Sequence, residues 1–304
     1  MKQQKHGSFA TKLIPAALLI VMVFVLAGCG TPKLTTRYYV DGKRVEELPD
    51  QGYYEIVSIK CNNKDANATW DCNSWSLKTD ELKKNTTVDL EFTYTSHPFT
   101  VNGKGYDTLQ EAFDAAGAYE NATVCLTKDA EGCGISPVGS SIKLVLGGFT
   151  LTGSGSDVIV NNGTMLITGE GTIDCTGSTE AKTIVNFGSL TMNQVTVNNS
   201  TPSFSVWNSN NGQSILEMTA CTIVRTETDV IPVINSGTMT VTQCTITGAG
   251  DVTHPTLMNN HANAVLVVKG STITNTGSGY SVYKESGEVT IDESSTYPNP
   301  YGLD

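Results

Sequence analysis

Arg225, Glu227 and Asp229 are the best local concentration of charge in the repetitive part of the chain. Two carboxylates close together are the minimum for cutting a glycosidic bond. For that chemistry the acids must share one groove. The remaining turn acids, Asp174, Glu180 and Asp251, share no position with these in adjacent repeats. Arg225, Glu227 and Asp229 therefore read as a solvated turn. His254 and His261 lie near Asp251, but a metal shared between them requires the turn to fold back, and surface histidines are the simpler reading. The chain contains no phosphate-binding glycine loop and no nucleophile elbow. These readings assign no catalytic residue, no metal ligand and no cofactor.

The cysteines point to targeting and packing. Eight occur in 304 residues. Cys61 with Cys72 and Cys125 with Cys133 are close enough in sequence to pair, and neither spacing is a metal-site signature. Cys221 and Cys244 fall at equivalent places in successive repeats and read as stacked thiols acting as small hydrophobes. Cys29 is different. It follows a basic stretch with Lys2, Lys5 and Lys12 and an apolar run, Leu13 to Ala27, too short to span a bilayer. Leu26-Ala27-Gly28-Cys29 resembles the lipobox of bacterial lipoproteins. The resemblance implies cleavage before Cys29 and a lipid on its thiol. The mature chain is then extracytoplasmic, anchored to the bacterial cell membrane and exposed at the cell surface. Loss of residues 1–28, with three Lys and no acid, moves the formal charge from −11 to −14. So acidic a surface repels phosphate backbones and argues against nucleic acid as a partner.

Positions in the C-terminal two thirds follow a repeat. Ile167, Met192, Met218, Val241, Val268 and Ile291 are separated by 25, 26, 23, 27 and 23 residues. Leu146 extends the series backwards by 21. An apolar residue precedes each by two, and another returns five residues later at Leu151, Val197, Ile223, Ile246 and Ile273. Thr296 closes that second series weakly. Ile173 falls one residue late, as a local bulge would place it. A third segment precedes each glycine turn, as in Ile184-Val185-Asn186 and Val233-Ile234-Asn235. Three short segments of period two in each unit mean three short strands, which are stable only when stacked on copies of themselves.

Alternation then assigns faces. Asn161, Asn186, Asn208, Asn235 and Asn259 point inward as a structural ladder, with Asn210 an alternative to Asn208 and Lys284 at the end. Val160, Val185, Trp207, Ile234, Met258 and Tyr283 point outward as an apolar stripe, a candidate binding surface. A second outward column, Thr150, Thr172, Thr196, Thr222, Thr245, Thr272 and Ser295, carries hydroxyls and no carboxylate. Upstream, Thr108-Leu109-Gln110-Glu111 is a capping box for a helix over 109–116, stopped at Gly117, that covers the open end of the stack.

With Gly-Tyr-Asp-Thr-Leu-Gln-Glu-Ala-Phe ahead of these coils, the chain resembles the pectin-lyase-like superfamily, specifically its non-catalytic surface proteins. The resemblance covers roughly residues 100–296. It implies an all-β fold: a right-handed, single-stranded parallel β-helix of about 6–7 coils of about 25 residues each. The expected organisation is a signal peptide (1–28), an anchor linker (29–35), a small β-rich module (36–99) with Trp70 and Trp75 in its core, and the β-helix (100–304). The expected function is adhesin-like binding of an extracellular glycan or protein, with the membrane engaged through the lipid. A polysaccharide lyase or glycoside hydrolase is the alternative, and a structural surface spacer is a third.

Overall fold

The computed structural model describes residues 34–46, 54–65, 68–71, 76–79, 86–177, 180–209 and 214–303. Residues 1–33, with Cys29, and also Cys72, Trp75, the Trp70 side chain and Asn210 lie outside the described residues.

A five-stranded sheet comes first. Its order is Lys43–Val45, Leu34–Val40, Thr86–Tyr94, Tyr54–Cys61, Lys64–Asp65. The central strand alternates, and Val88, Leu90 and Phe92 put one face into a small core against Tyr38, Ile56 and Ile59. It runs parallel to Leu34–Val40 and antiparallel to Tyr54–Cys61. Arg37 fastens the parallel pair with a fork of bonds to Asp89, Nε to Oδ1 at 2.5 Å and Nη2 to Oδ2 at 2.6 Å.

The rest is a parallel β-solenoid of about six turns. Its strands build three sheets. The first runs from Ala122–Leu126 to Glu288–Ile291, the second from Ala130–Glu131 to Thr272–Asn275, the third from Gly134–Ile135 to Val282–Lys284. Phe99–Val101 and Lys104–Tyr106 extend the first sheet by an antiparallel hairpin. Ile167, Met192, Met218, Val241, Val268 and Ile291 pair in register, one above another. All but the last are fully buried. A buried side chain of this size contributes about 1.5–3 kcal/mol, against about 1 kcal/mol for a ladder hydrogen bond. Each coil is therefore held chiefly by the apolar residues of its neighbours.

The first coils depart from the expected register. Leu144, not Leu146, pairs with Ile167, and Ile142 pairs with Met165. Leu146 belongs to the turn that follows. The extra residue before Ile173 makes no bulge, since Thr150 to Ser154 pair residue for residue with Thr172 to Thr176. It is absorbed in the turn Gly169-Glu170-Gly171, where Gly169 and Glu170 are both left-handed (φ 106° and 53°). Later coils need one such residue each, Gln194, Ala220, Gln243 and Gly270. At the C-terminal end Thr296, not Ser295, bridges to Thr272 and completes the hydroxyl column.

The helix Leu109–Ala116 has both halves of its capping box. Leu109, Ala112, Phe113 and Ala116 close the N-terminal end of the core. Gly117 ends it in a right-handed conformation (φ −60°). Glycine is needed there for space, because a Cβ would lie 2.7 Å from Pro137 Cγ.

Gly188 follows the third sheet where two coils touch backbone to backbone. A Cβ there would lie 2.1 Å from the Gly163 carbonyl oxygen. No rotamer relieves a clash with main chain. Gly188→Ala is expected to lower stability by about 1–3 kcal/mol. Equilibrium urea unfolding measures it, and a variant equal to wild type would show that the coils part freely at this corner.

Candidate functional site: the outward face of the third sheet

The third sheet carries an inner column of amides and an outer column of apolar side chains. Inward, Asn161, Asn186, Asn208, Asn235 and Asn259 pair in register and are fully buried. Each amide nitrogen donates to the next oxygen along the axis, at 2.8, 2.8, 2.8 and 2.7 Å. The Ser136 hydroxyl starts the chain on Asn161 Oδ1 at 3.1 Å. At the other end Lys284 takes the next place, and Asn259 Nδ2 donates to the Ser286 carbonyl at 2.7 Å. This column fixes the register of the third sheet, because a slip by one residue would bury amides without partners.

Outward, Val160, Val185, Trp207, Ile234, Met258 and Tyr283 follow one another in the same pairing. The line is longer than the residue pattern indicates. Ile135 pairs ahead of Val160, and Tyr301 bridges beyond Tyr283. Both are exposed, at 52% and 50%. Val185 and Ile234 are buried at 1% and 5%, and the remaining members are half-buried. At rungs of about 4.8 Å, eight positions extend over about 34 Å.

Aromatic rings gather at two places on this line. Trp207 meets Phe187 edge-on at 6.0 Å, and Lys182 Nζ lies 5.8 Å from the Trp207 ring centroid and 5.9 Å from that of Phe204. Three rungs further, Tyr283 and Tyr301 stack at 4.9 Å with an interplanar angle of 7°, beside Tyr280. A cleft of about 310 Å³ opens at the N-terminal end, between Gln110 on the helix and Cys133, Ile135, Asp157 and Val160. Flat rings with one wet edge offer stacking surface at little entropic cost.

The charged groups are placed differently from the sequence expectation. Arg225 is not in a solvated turn. It is 1% exposed and continues the inward phase of Cys221 and Ile223. Its Nη1 donates to the Asn199 carbonyl and its Nη2 to the Thr201 carbonyl, the latter at 2.7 Å. Its Nε lies 3.1 Å from Glu227 Oε2, an ion pair whose alignment does not make a hydrogen bond. Burial lowers the Arg225 pKa, and Glu227 and Asp229 oppose the shift. Arg225 holds two coils together. Asp174 and Glu217 point outward on different sheets. Among the described residues, no group of three or more His, Cys, Asp or Glu is placed to hold a metal ion.

His254 and His261 serve separate turns. His254 Nδ1 lies 2.9 Å from Asp251 Oδ1, while His261 Nδ1 accepts from the Asn263 amide at 3.3 Å. Bonds from the Thr253 hydroxyl and amide, with His254, bring the Asp251 carboxyl down to about 2. Cys133 is a free thiol, so no disulfide joins it to Cys125. Cys221 and Cys244 are buried free thiols in successive rungs, and the Cys221 amide donates to Cys244 Sγ at 3.3 Å. The contact with Cys221, and then burial, raises the Cys244 pKa.

Comparison of the chain with known proteins finds no matching family model, no matching curated protein and no matching solved structure.

Proposed function

We propose that this chain is a bacterial surface lipoprotein that binds an extracellular glycan or protein along the outward face of the third sheet. Cys29 carries the lipid anchor in this reading, and two or more acyl chains make the attachment lasting. The solenoid then serves as a rigid rod that presents the stripe. One observation carries the binding role: a continuous register of apolar residues, with aromatic groups at Trp207 and at Tyr283 with Tyr301. Val185 and Ile234 are buried, so the presented surface is Ile135 and Tyr301 at the ends with the half-buried Trp207 and Tyr283 between them. The adhesin-like reading is favoured over an enzyme because Glu131 and Asp174 stand two rungs apart on the second sheet with Thr152 between them and Glu217 lies on the first sheet, whereas glycoside cleavage needs two carboxylates that face one bond.

Arrays of extracellular glycans and proteins, probed with the full chain in detergent micelles, test this. A bound ligand should lose about tenfold in affinity on Trp207→Ala or Tyr301→Ala, the cost of removing an aromatic anchor. Val57→Ala, on the N-terminal sheet, should change nothing. Undiminished binding by both aromatic variants would remove the stripe as the site. New unsaturated or reducing ends from a polysaccharide panel would replace this reading with the enzyme. Incorporation of an alkyne-labelled fatty acid that vanishes in Cys29→Ser tests the anchor.

A further inference from the structure

Ionisable side chains join the N-terminal sheet to the solenoid. We propose that Glu55, His97 and Asp107 form a pH-operated latch holding the N-terminal sheet against the first hairpin of the solenoid. The three come from different segments: Glu55 from the strand Tyr54–Cys61, His97 from the connection after Tyr94, and Asp107 from the lead-in to the helix. His97 Nδ1 lies 2.9 Å from Glu55 Oε1, and its Nε2 lies 3.8 Å from Asp107 Oδ1. The imidazole thus sits between two carboxylates.

The surroundings fit this pair closely. The Thr95 hydroxyl donates to Glu55 Oε1 and accepts from the His97 amide at 3.1 Å. Gly105 has no side chain where one would collide, since a Cβ there would lie 2.2 Å from His97 Nδ1 and 2.5 Å from Glu55 Oε1. The imidazole segment is fixed to the solenoid by Thr127 Oγ1 on the His97 carbonyl at 2.6 Å and Lys128 Nζ on the Ser96 carbonyl at 2.7 Å. Lys104, the other cation nearby, lies over the Tyr106 ring, 5.3 Å from its centroid. Across the junction the Ile56 amide donates to the Gly103 carbonyl at 3.1 Å. Glu55 and Ile56 are therefore where the sheet grips the hairpin.

A proton on His97 places a positive charge between Glu55 and Asp107. Without it the two carboxylates face a neutral ring and the grip weakens. Burial raises the Glu55 carboxyl pKa, but bonds from Thr95, His97 and the Gly105 amide outweigh it and leave the pKa below the ordinary value. Glu55 thus stays ionised down to mildly acidic pH. Its contribution is present above the unfolded carboxylate value and is lost only as pH falls through the lowered one. Histidine is the side-chain type whose charge responds to pH in the range 5 to 8. The latch is tighter at pH 5 than at pH 8.

Hydrogen exchange of the full chain in detergent micelles, corrected for intrinsic rates, tests it at those two pH values. Protection of the Ile56 amide should be about two- to fivefold higher at pH 5, the size of a half-exposed ion pair. Amides of the second sheet should not change. His97→Gln and Glu55→Gln should each abolish the difference. Asp107→Asn, at a side chain 80% exposed and harmless to folding, should shrink it. Equal protection at both pH values in the wild type, or a difference that survives His97→Gln, overturns the latch. Ligand binding does not enter these readouts, so the latch and the binding role stand or fall separately.

Discussion

Arg225→Ala is expected to destabilise the folded chain by about 3–5 kcal/mol, among the largest effects of any single change. The guanidinium is a connector between coils. It reaches the carbonyls of Asn199 and Thr201, in the turn of the preceding coil. The Asn199 side chain is already committed to its own turn, accepting from the Thr201 amide at 2.7 Å and donating to the Phe204 carbonyl at 2.8 Å. The Thr201 carbonyl also accepts from the Ser203 amide at 2.8 Å, so the Asn199 carbonyl depends most on Arg225. Losing the guanidinium leaves the buried Asn199 carbonyl without a donor, at about 1–3 kcal/mol, leaves the Thr201 carbonyl with the Ser203 amide alone, and opens a hole. Arg225→Met separates the two, since it fills the volume but donates nothing, and should recover about 1–2 kcal/mol of the loss. Glu227→Gln tests the ion pair alone. With Glu227 more than a third exposed, its effect should stay below about 1 kcal/mol. Urea unfolding midpoints with unchanged slopes give all three values. An Arg225→Ala protein within about 1 kcal/mol of wild type would show that water reaches those carbonyls.

Arg225 also shows where residue pattern informs and where polarity misleads. Cys221 and Ile223 point inward, Val224 is 39% exposed, and the same alternation places Arg225 inward. The phase was present in the residues. Charge type and the nearby Glu227 and Asp229 outweighed it, because a buried cation is uncommon unless carbonyls await it, and those belong to a turn 24 to 26 residues away. Columns were readable for the opposite reason. Met192, Met218 and Val241 repeat one type of residue at one place, and each asparagine precedes a turn. The helix was readable because its capping box and its apolar spacing agree over eight residues. In the N-terminal sheet, Leu34–Val40 alternates poorly, and its parallel partner starts at Thr86. No local signal announces a parallel pairing at that distance. The ends of the stripe were missed because Ile135 sits in a two-residue strand and Tyr301 in a single bridge. Neither is long enough to show a period.

In the asparagine column, Asn208→Ala is expected to cost about 3–4 kcal/mol, because the amide is wired on both sides. Its oxygen accepts from Asn186, and its nitrogen donates to Asn235 and to the Thr238 carbonyl, at 2.8, 2.8 and 3.0 Å. Truncation leaves a donor and two acceptors short inside a site that is 0% exposed. At the first rung the cost should be smaller, about 2 kcal/mol for Asn161→Ala, because its upstream partner is the Ser136 hydroxyl, which can turn to another acceptor. Asn208→Asp separates wiring from shape. It keeps the volume and the acceptor for Asn186, but an ionised carboxylate faces the Asn235 oxygen and the Thr238 carbonyl with no proton to give. Burial and those two acceptors raise its pKa above that of the unfolded chain. The variant should therefore gain stability as pH falls from 8 to 5, when the carboxyl takes up a proton and can donate. Asn208→Ala has no such group and should lose or gain only as the wild type does. Urea midpoints of the two variants across that pH range decide the matter. Parallel profiles would mean that the amides fill space without acting as donors along the axis, and that packing alone keeps the coils in register.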